Sequence, residues 1–168
     1  VTKAGNFDFT RTPDSSGYSN TGTLKGGASF PPKNNGALGK AVVFDGVSGR
    51  VEVPHAASLN PVNALTLEMR VRPASAADCD GNNNYRVLLQ KGTTLDGSYS
   101  LVLEDDGSFS ARVRVAGGQN YALHSPTPLP TGQWSRVAVE TRPTPGLYGV
   151  CETMRSTISE LGTTRRGR

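Results

Sequence analysis

The chain has 168 residues, 35% of them hydrophobic and 19% charged, with 20 glycines and 11 prolines. That length suits one domain with a single core, and so much Gly and Pro excludes long helices as the dominant element. The formal net charge is +4, but half of the excess falls after Arg142, where Arg155, Arg165, Arg166 and Arg168 outnumber Glu152 and Glu160; a solvated basic tail explains this without a phosphate-binding surface.

No apolar run is long enough to span a bilayer. The sequence opens on Val1 without a charged segment leading into an apolar one, so a removed leader and a piece of a longer product are both open. Cys79 and Cys151 are the only cysteines. Paired, they would close a loop of about 70 residues worth roughly 4 kcal/mol; two free thiols fit the sequence equally well.

From Val1 to Pro32 turn formers dominate, as in "TPDSSGYSNTGTLKGG". "GKAVVFDGVSGRVEVP", residues 39–54, then predicts a hairpin that pairs Lys40–Phe44 with Arg50–Val53. Leu65–Arg72, "LTLEMRVR", alternates with a period of two, the mark of a half-buried strand. Arg86–Gln90 is a further strand. "SYSLVLEDDGSFSARVRV" predicts a hairpin in which Asp106 and Gly107 supply positive φ angles. Gln133–Glu140, "QWSRVAVE", is strand-like, but Trp134 and Val137 cannot share a face, which predicts a bulge near Ser135. Apolar faces on successive antiparallel strands imply an all-β, two-layered β-sandwich. Arg70, Arg72, Arg112, Arg114 and Arg136 would then form one basic outer face, either plainly solvated or suited to an acidic glycan.

Taken in order, "FDFTRTPDSSGYSNTGTLKGG", "GKAVVFDGVSGRVEVP", "ALTLEMRVRP", "LLQKG", "GSYSLVLEDDGSFSARV" and "LPTGQWSRVAV" resemble the laminin-G-like jelly-roll domains of the concanavalin A-like lectin and glucanase superfamily, over about Phe7–Val139. The resemblance implies a secreted or surface-attached β-sandwich that binds carbohydrate or an extracellular protein, often with calcium. On that basis residues 1–142 form the laminin-G-like domain and 143–168 an atypical basic tail. The resemblance further implies a module often appended to bacterial glycan-processing enzymes or adhesins. Glucanases of the superfamily carry Glu-x-Asp-x-(x)-Glu on one strand, where two carboxylates flank the glycosidic bond. This chain has no such run. Glu104-Asp105-Asp106 reads as a hairpin tip, and His55 and His124 are isolated, so the sequence predicts no enzyme.

"ADCDGNNNYR" is the most chemically suggestive stretch. Asp78, Asp80, Asn82 and Asn84 alternate and can turn oxygens toward one calcium ion, with Asp14 of "PDSSG" as a further donor. It is not an EF-hand, because Asn83 stands where the glycine belongs and Leu89 where the bidentate glutamate belongs. A polar loop that uses Asn for left-handed turns is the alternative. For a glycan, Asn82, Asn83, Asn84 and Tyr85 are the best cluster for stacking and amide hydrogen bonds, with Tyr18 and Tyr121 weaker.

After Val139 the resemblance stops. Val150, Met154, Ile158 and Leu161 recur at helical spacing ahead of Gly162, which predicts a short C-terminal helix over about 151–161. A jelly roll without its last strands would expose sheet edges and favour self-association. An incomplete domain, an altered reading frame and a docking tail are the competing explanations. The expected function is a non-catalytic carbohydrate-binding or adhesion module; the alternatives are a spacer or protein-interaction domain and, less favoured, a glycoside hydrolase relative without its carboxylates.

Overall fold

The structure is a computed structural model and describes residues 10–31, 41–61, 64–74, 85–92, 98–114, 118, 120–143 and 151–160. Every sheet in it is antiparallel, and the only helical element among the described residues is a 3-10 turn at Ala57–Leu59. The chain divides into two compact units, Val1–Asn60 and Pro61–Arg168.

In the first unit β1 (Arg11–Thr12), β2 (Gly22–Lys25) and β3 (Arg50–Glu52) lie in the order β1-β2-β3. The predicted hairpin between Lys40–Phe44 and Arg50–Val53 does not form. Lys40 lies outside the described residues, Val43 makes a single bridge to Ser29, and Arg50 pairs with Lys25. Both segments therefore pair with the stretch around residues 22–29 instead of with each other. The reason is the bend at Gly26 (φ 58°) and Gly27, where a side chain would collide with Ser48 or with the Asp45 carboxylate.

The second unit contains β4 (Leu65–Val71), β5 (Tyr85–Lys91), β6 (Tyr99–Glu104), β7 (Phe109–Arg114), β8 (Asn120–His124), β9 (Ser135–Pro143) and β10 (Cys151–Glu160). They make one sheet of order β10-β9-β4 and another of order β5-β6-β7-β8. Alternation decides what lies between them. Leu67, Val137 and Val139 of the first sheet meet Leu101, Leu103, Phe109 and Ala111 of the second, with Leu129 from the loop after β8. Each such side chain contributes about 1.5–3 kcal/mol when fully buried.

The β6–β7 hairpin forms as expected, with one correction. Only Gly107 has positive φ (80°); Asp106 does not. Gly107 N–H donates to Glu104 O (3.1 Å) and Glu104 N–H to Ser108 O (2.8 Å). This is a type I turn closed by a glycine bulge, not a two-residue turn. Nor is there a bulge at Ser135. Trp134 precedes β9, whose register with β4 is unbroken, so Trp134 is free of the strand's phase. It instead sits under the Arg72 guanidinium, 5.6 Å from the ring centroid. The break in register falls in β5, between Val87 and Leu89.

The predicted C-terminal helix is overturned. Residues 151–160 form β10, a ten-residue strand paired along β9. A spacing of four suits one stripe of a helix and one face of a strand equally: Met154 and Ile158 fall opposite Thr141 and Val137, both at core-facing positions of β9. What decides is the partner. Without β10, the long apolar strand β9 would carry an unpaired edge, and Thr153, Thr157 and Ile158 favour the extended chain.

Candidate functional site

Of the residues expected to hold calcium or glycan, Asp78, Asp80, Asn82, Asn83 and Asn84 lie outside the described residues, as does Cys79. Asp14 and Tyr85 are described. Asp14 accepts hydrogen bonds from Ser16 N–H (2.8 Å), Ser16 Oγ (2.7 Å) and Asn20 N–H (2.8 Å). The Ser16 hydroxyl, then the Ser16 and Asn20 amides, hold its carboxyl below the usual range. Its visible task is to fold its own loop. Among the described residues no three His, Cys, Asp or Glu side chains converge as metal ligands would.

Asp45 is a second loop organiser, and sequence reading did not single it out. Oδ1 accepts the N–H groups of Val47 (3.0 Å), Ser48 (3.0 Å) and Gly49 (2.7 Å), and Oδ2 accepts the Ser48 hydroxyl (3.1 Å). Ser48 Oγ in turn accepts Gly27 N–H (3.1 Å). The amide of Val47, followed by those of Gly49 and Ser48, lowers the Asp45 pKa from 3.8 to about 2. A carboxylate whose pKa is depressed on folding stabilises above its unfolded pKa, and that contribution is lost as pH falls through the folded value. Between about pH 4 and 2 the amide protons of Val47, Ser48 and Gly49 should lose exchange protection in the wild type. Asp45→Ala should lack that protection already at pH 6, as hydrogen exchange read by NMR would record.

Tyr85 opens β5, half-buried, opposite Glu104. That pairing places it on the outer face of the four-stranded sheet, where the register sets three adjoining rows. The first holds Tyr85 and Glu104, the second Val87, Val102, Ser110 and His124, the third Gln90, Ser100, Arg112 and Ala122. Ser100, Val102 and Ser110 are fully buried, so the middle of this face is closed to solvent. Around it Glu104, Gln90 and Arg112 are half-buried, while Asn120, Ala122 and His124 form an exposed strip along β8. The Ser110 hydroxyl donates to Glu104 Oε1, and Asp106 Oδ1 accepts Ser108 N–H (2.7 Å). The carboxylates of the β6–β7 hairpin thus serve its own hydrogen bonding. Together the rim offers an aromatic ring, amides, a guanidinium, an imidazole and a carboxylate, the groups that bind sugar hydroxyls.

Glu104, Arg112, Asn120 and His124 were not singled out as binding residues by sequence reading. The out-facing half of the alternation in "SYSLVLEDDGSFSARVRV" signals the first two, but only the register unites the four. Tyr121, by contrast, pairs with core-facing Val113 and belongs to the inner side; Tyr18 lies in the first unit and is exposed. The expected single basic face is not present. Arg70 and Arg136 stand on β4 and β9, Arg112 and Arg114 on β7 in the other sheet, and Arg72 lies outside the strands against Trp134. Arg136 is moreover neutralised by Glu68, donating from Nε (2.7 Å) and Nη2 (2.6 Å).

Two facing antiparallel sheets with a polar outer face define a lectin-like β-sandwich. A laminin-G family profile of the concanavalin A-like lectin/glucanases superfamily matches residues 45–145, and the chain belongs to that family. No curated protein and no solved structure matches it. No helix among the described residues is long and apolar enough to cross a membrane.

Proposed function

We propose that the protein is a non-catalytic carbohydrate-binding or adhesion module of a secreted or surface protein. The reading rests on one observation: in a chain of the lectin/glucanase superfamily, the outer face of β5–β8 is rimmed by Tyr85, Gln90, Glu104, Arg112, Asn120 and His124. The stretch "ADCDGNNN", which lies outside the described residues, immediately precedes Tyr85 in the sequence and is rich in amides and carboxylates. Calcium is the cofactor that its oxygen donors fit. No nucleic acid is invoked, since the arginines are divided between sheets and one is paired with Glu68.

A glycan array, run with and without calcium, tests this. Binding should be reproducible, and the pair His124→Ala and Asn120→Ala should reduce it about tenfold while circular dichroism stays unchanged. Calcium should raise the melting temperature, and Asp80→Ala should abolish the rise. Silence on the array under both conditions would favour the second reading, a protein-interaction domain. Its support is in the first unit, where Tyr18, Val43, Phe44, Val47 and Val53 are exposed, Val47 at 91%.

A further inference from the structure

Strand β4 ends its sheet: the order is β10-β9-β4, and among the described residues no strand pairs with the outer edge of β4. Thr66, Glu68 and Arg70 are exposed along it. A row of open backbone N–H and C=O groups is a template for another strand, and proteins ordinarily blunt it with proline, a bulge or an inward charge. None of these interrupts Leu65–Val71, whose register with β9 runs without a shift and whose inward residues are Leu, Leu, Met and Val. We propose that β4 pairs antiparallel with β4 of a second copy of this chain, about a twofold axis through Met69.

The strand is self-complementary about that residue. Pairing centred on Met69 sets Leu67 opposite Val71 of the second copy on the core side, and Glu68 opposite Arg70 of the second copy on the outer side. By symmetry each match occurs twice. Leu65 N–H donates to Thr141 Oγ1 on β9 (3.1 Å), so by strand alternation the N–H groups of Thr66, Glu68 and Arg70 point to the open edge. Glu68 and Arg70 of the two copies then form hydrogen-bonded pairs, as this register requires. Shifting it by one step of two residues puts Glu68 against Glu68, or Arg70 against Arg70, on the axis. Like charges opposite each other reject both.

Arg70 also needs the acid. It faces Arg136 across β4 and β9, and Glu68 is already held by Arg136 in two hydrogen bonds. Among the described residues Arg70 makes no ion pair. Glu68 of the second copy, whose two carboxylate oxygens each accept one bond from its own Arg136 and keep a further lone pair, supplies one and gives a continuous sheet, β10-β9-β4 followed by the same strands in reverse order.

The test is sedimentation velocity of the full chain over a concentration series reaching hundreds of micromolar, a range in which a Kd of roughly 10–100 μM is visible. The wild type should shift from monomer to dimer. Arg70→Glu and Glu68→Arg, each still β-rich by circular dichroism, should weaken dimerisation by at least about tenfold. Mixed in equal amounts they should form a heterodimer, because every edge pair is then of opposite sign. Thr66→Pro, which removes only an outward N–H, should be monomeric without disturbing the β9 ladder, and decides the matter should Glu68→Arg fail to fold. A wild type that stays monomeric, an undiminished dimer in Arg70→Glu or Thr66→Pro, or folded charge variants that do not combine would each overturn the proposal.

Discussion

Phe109→Ala should cost about 3–5 kcal/mol of stability, the range for truncating a fully buried aromatic ring. Phe109 has no solvent exposure and stands where the two sheets of the second unit meet, paired with Leu103 on β6. Its backbone is held independently of the ring, because Phe109 N–H donates to Ser125 Oγ (3.0 Å) and Ser125 N–H to Phe109 O (2.8 Å). Those bonds persist in the variant, so the loss measures packing. Against a total of about 5–15 kcal/mol for a domain, the effect brings the unit close to unfolding at ambient temperature. Urea denaturation followed by circular dichroism should show the midpoint falling by a third or more with little change in slope. Val87→Ala, on the half-exposed β5 edge at 49% exposure, should cost under about 0.5 kcal/mol. Equal effects from the two substitutions would mean that the facing sheets do not share the core described.

Elements whose partner is near in sequence, or whose apolar face is clean, were readable from the residues alone. "LTLEMRVR" is a strand because four alternate residues must be dry, and the β6–β7 hairpin follows from a turn only a few residues long. Long-range choices were not readable. Val43 and Arg50 take partners around residues 22–29, a stretch whose glycines, threonines and lysine look like turn, and no local signal shows that β2 lies there. Met154 and Ile158 satisfy two periods at once, so the decision between helix and strand was taken by the open edge of β9, not by the tail itself.

The proposed binding face illustrates the same limit. Tyr85 stood out because it follows a run of asparagines. Glu104, Arg112 and His124 each look like an ordinary polar strand residue until three registers bring them round one buried floor. The arginines fail in the opposite sense. Alternation makes all of them look outward, but Arg70 and Arg136 stand on one sheet, Arg112 and Arg114 on the other and Arg72 beyond the end of β4, so a field that adds up in the sequence is divided in space.

Along the core side of β9 the same chemical change should have opposite signs at the strand's two ends. Ser135, Val137, Val139 and Thr141 alternate inward there, and all four are buried. At the Thr141 end the hydroxyl is used: Oγ1 accepts Leu65 N–H (3.1 Å) and donates to Leu65 O (3.4 Å). At the Ser135 end Oγ is buried with no hydrogen-bond partner among the described residues, between Val71 on β4 and the backbone of Glu160 on β10. Folding strips that hydroxyl of water without replacing the bond, which costs about 1–3 kcal/mol on mutational scales. Ser135→Ala removes the unsatisfied group and one atom's volume, and should therefore stabilise the unit by about 1–2 kcal/mol, a rise of a few degrees in melting temperature. Thr141→Val keeps the shape but leaves Leu65 N–H without its acceptor, and should destabilise by about 1 kcal/mol. The two variants lie far enough apart along the strand for their effects to add within about 0.5 kcal/mol in the double mutant. Calorimetry on the four proteins checks the signs. A loss of stability in Ser135→Ala would mean that its hydroxyl is satisfied after all, and that this end of the sandwich is wetter than its packing implies.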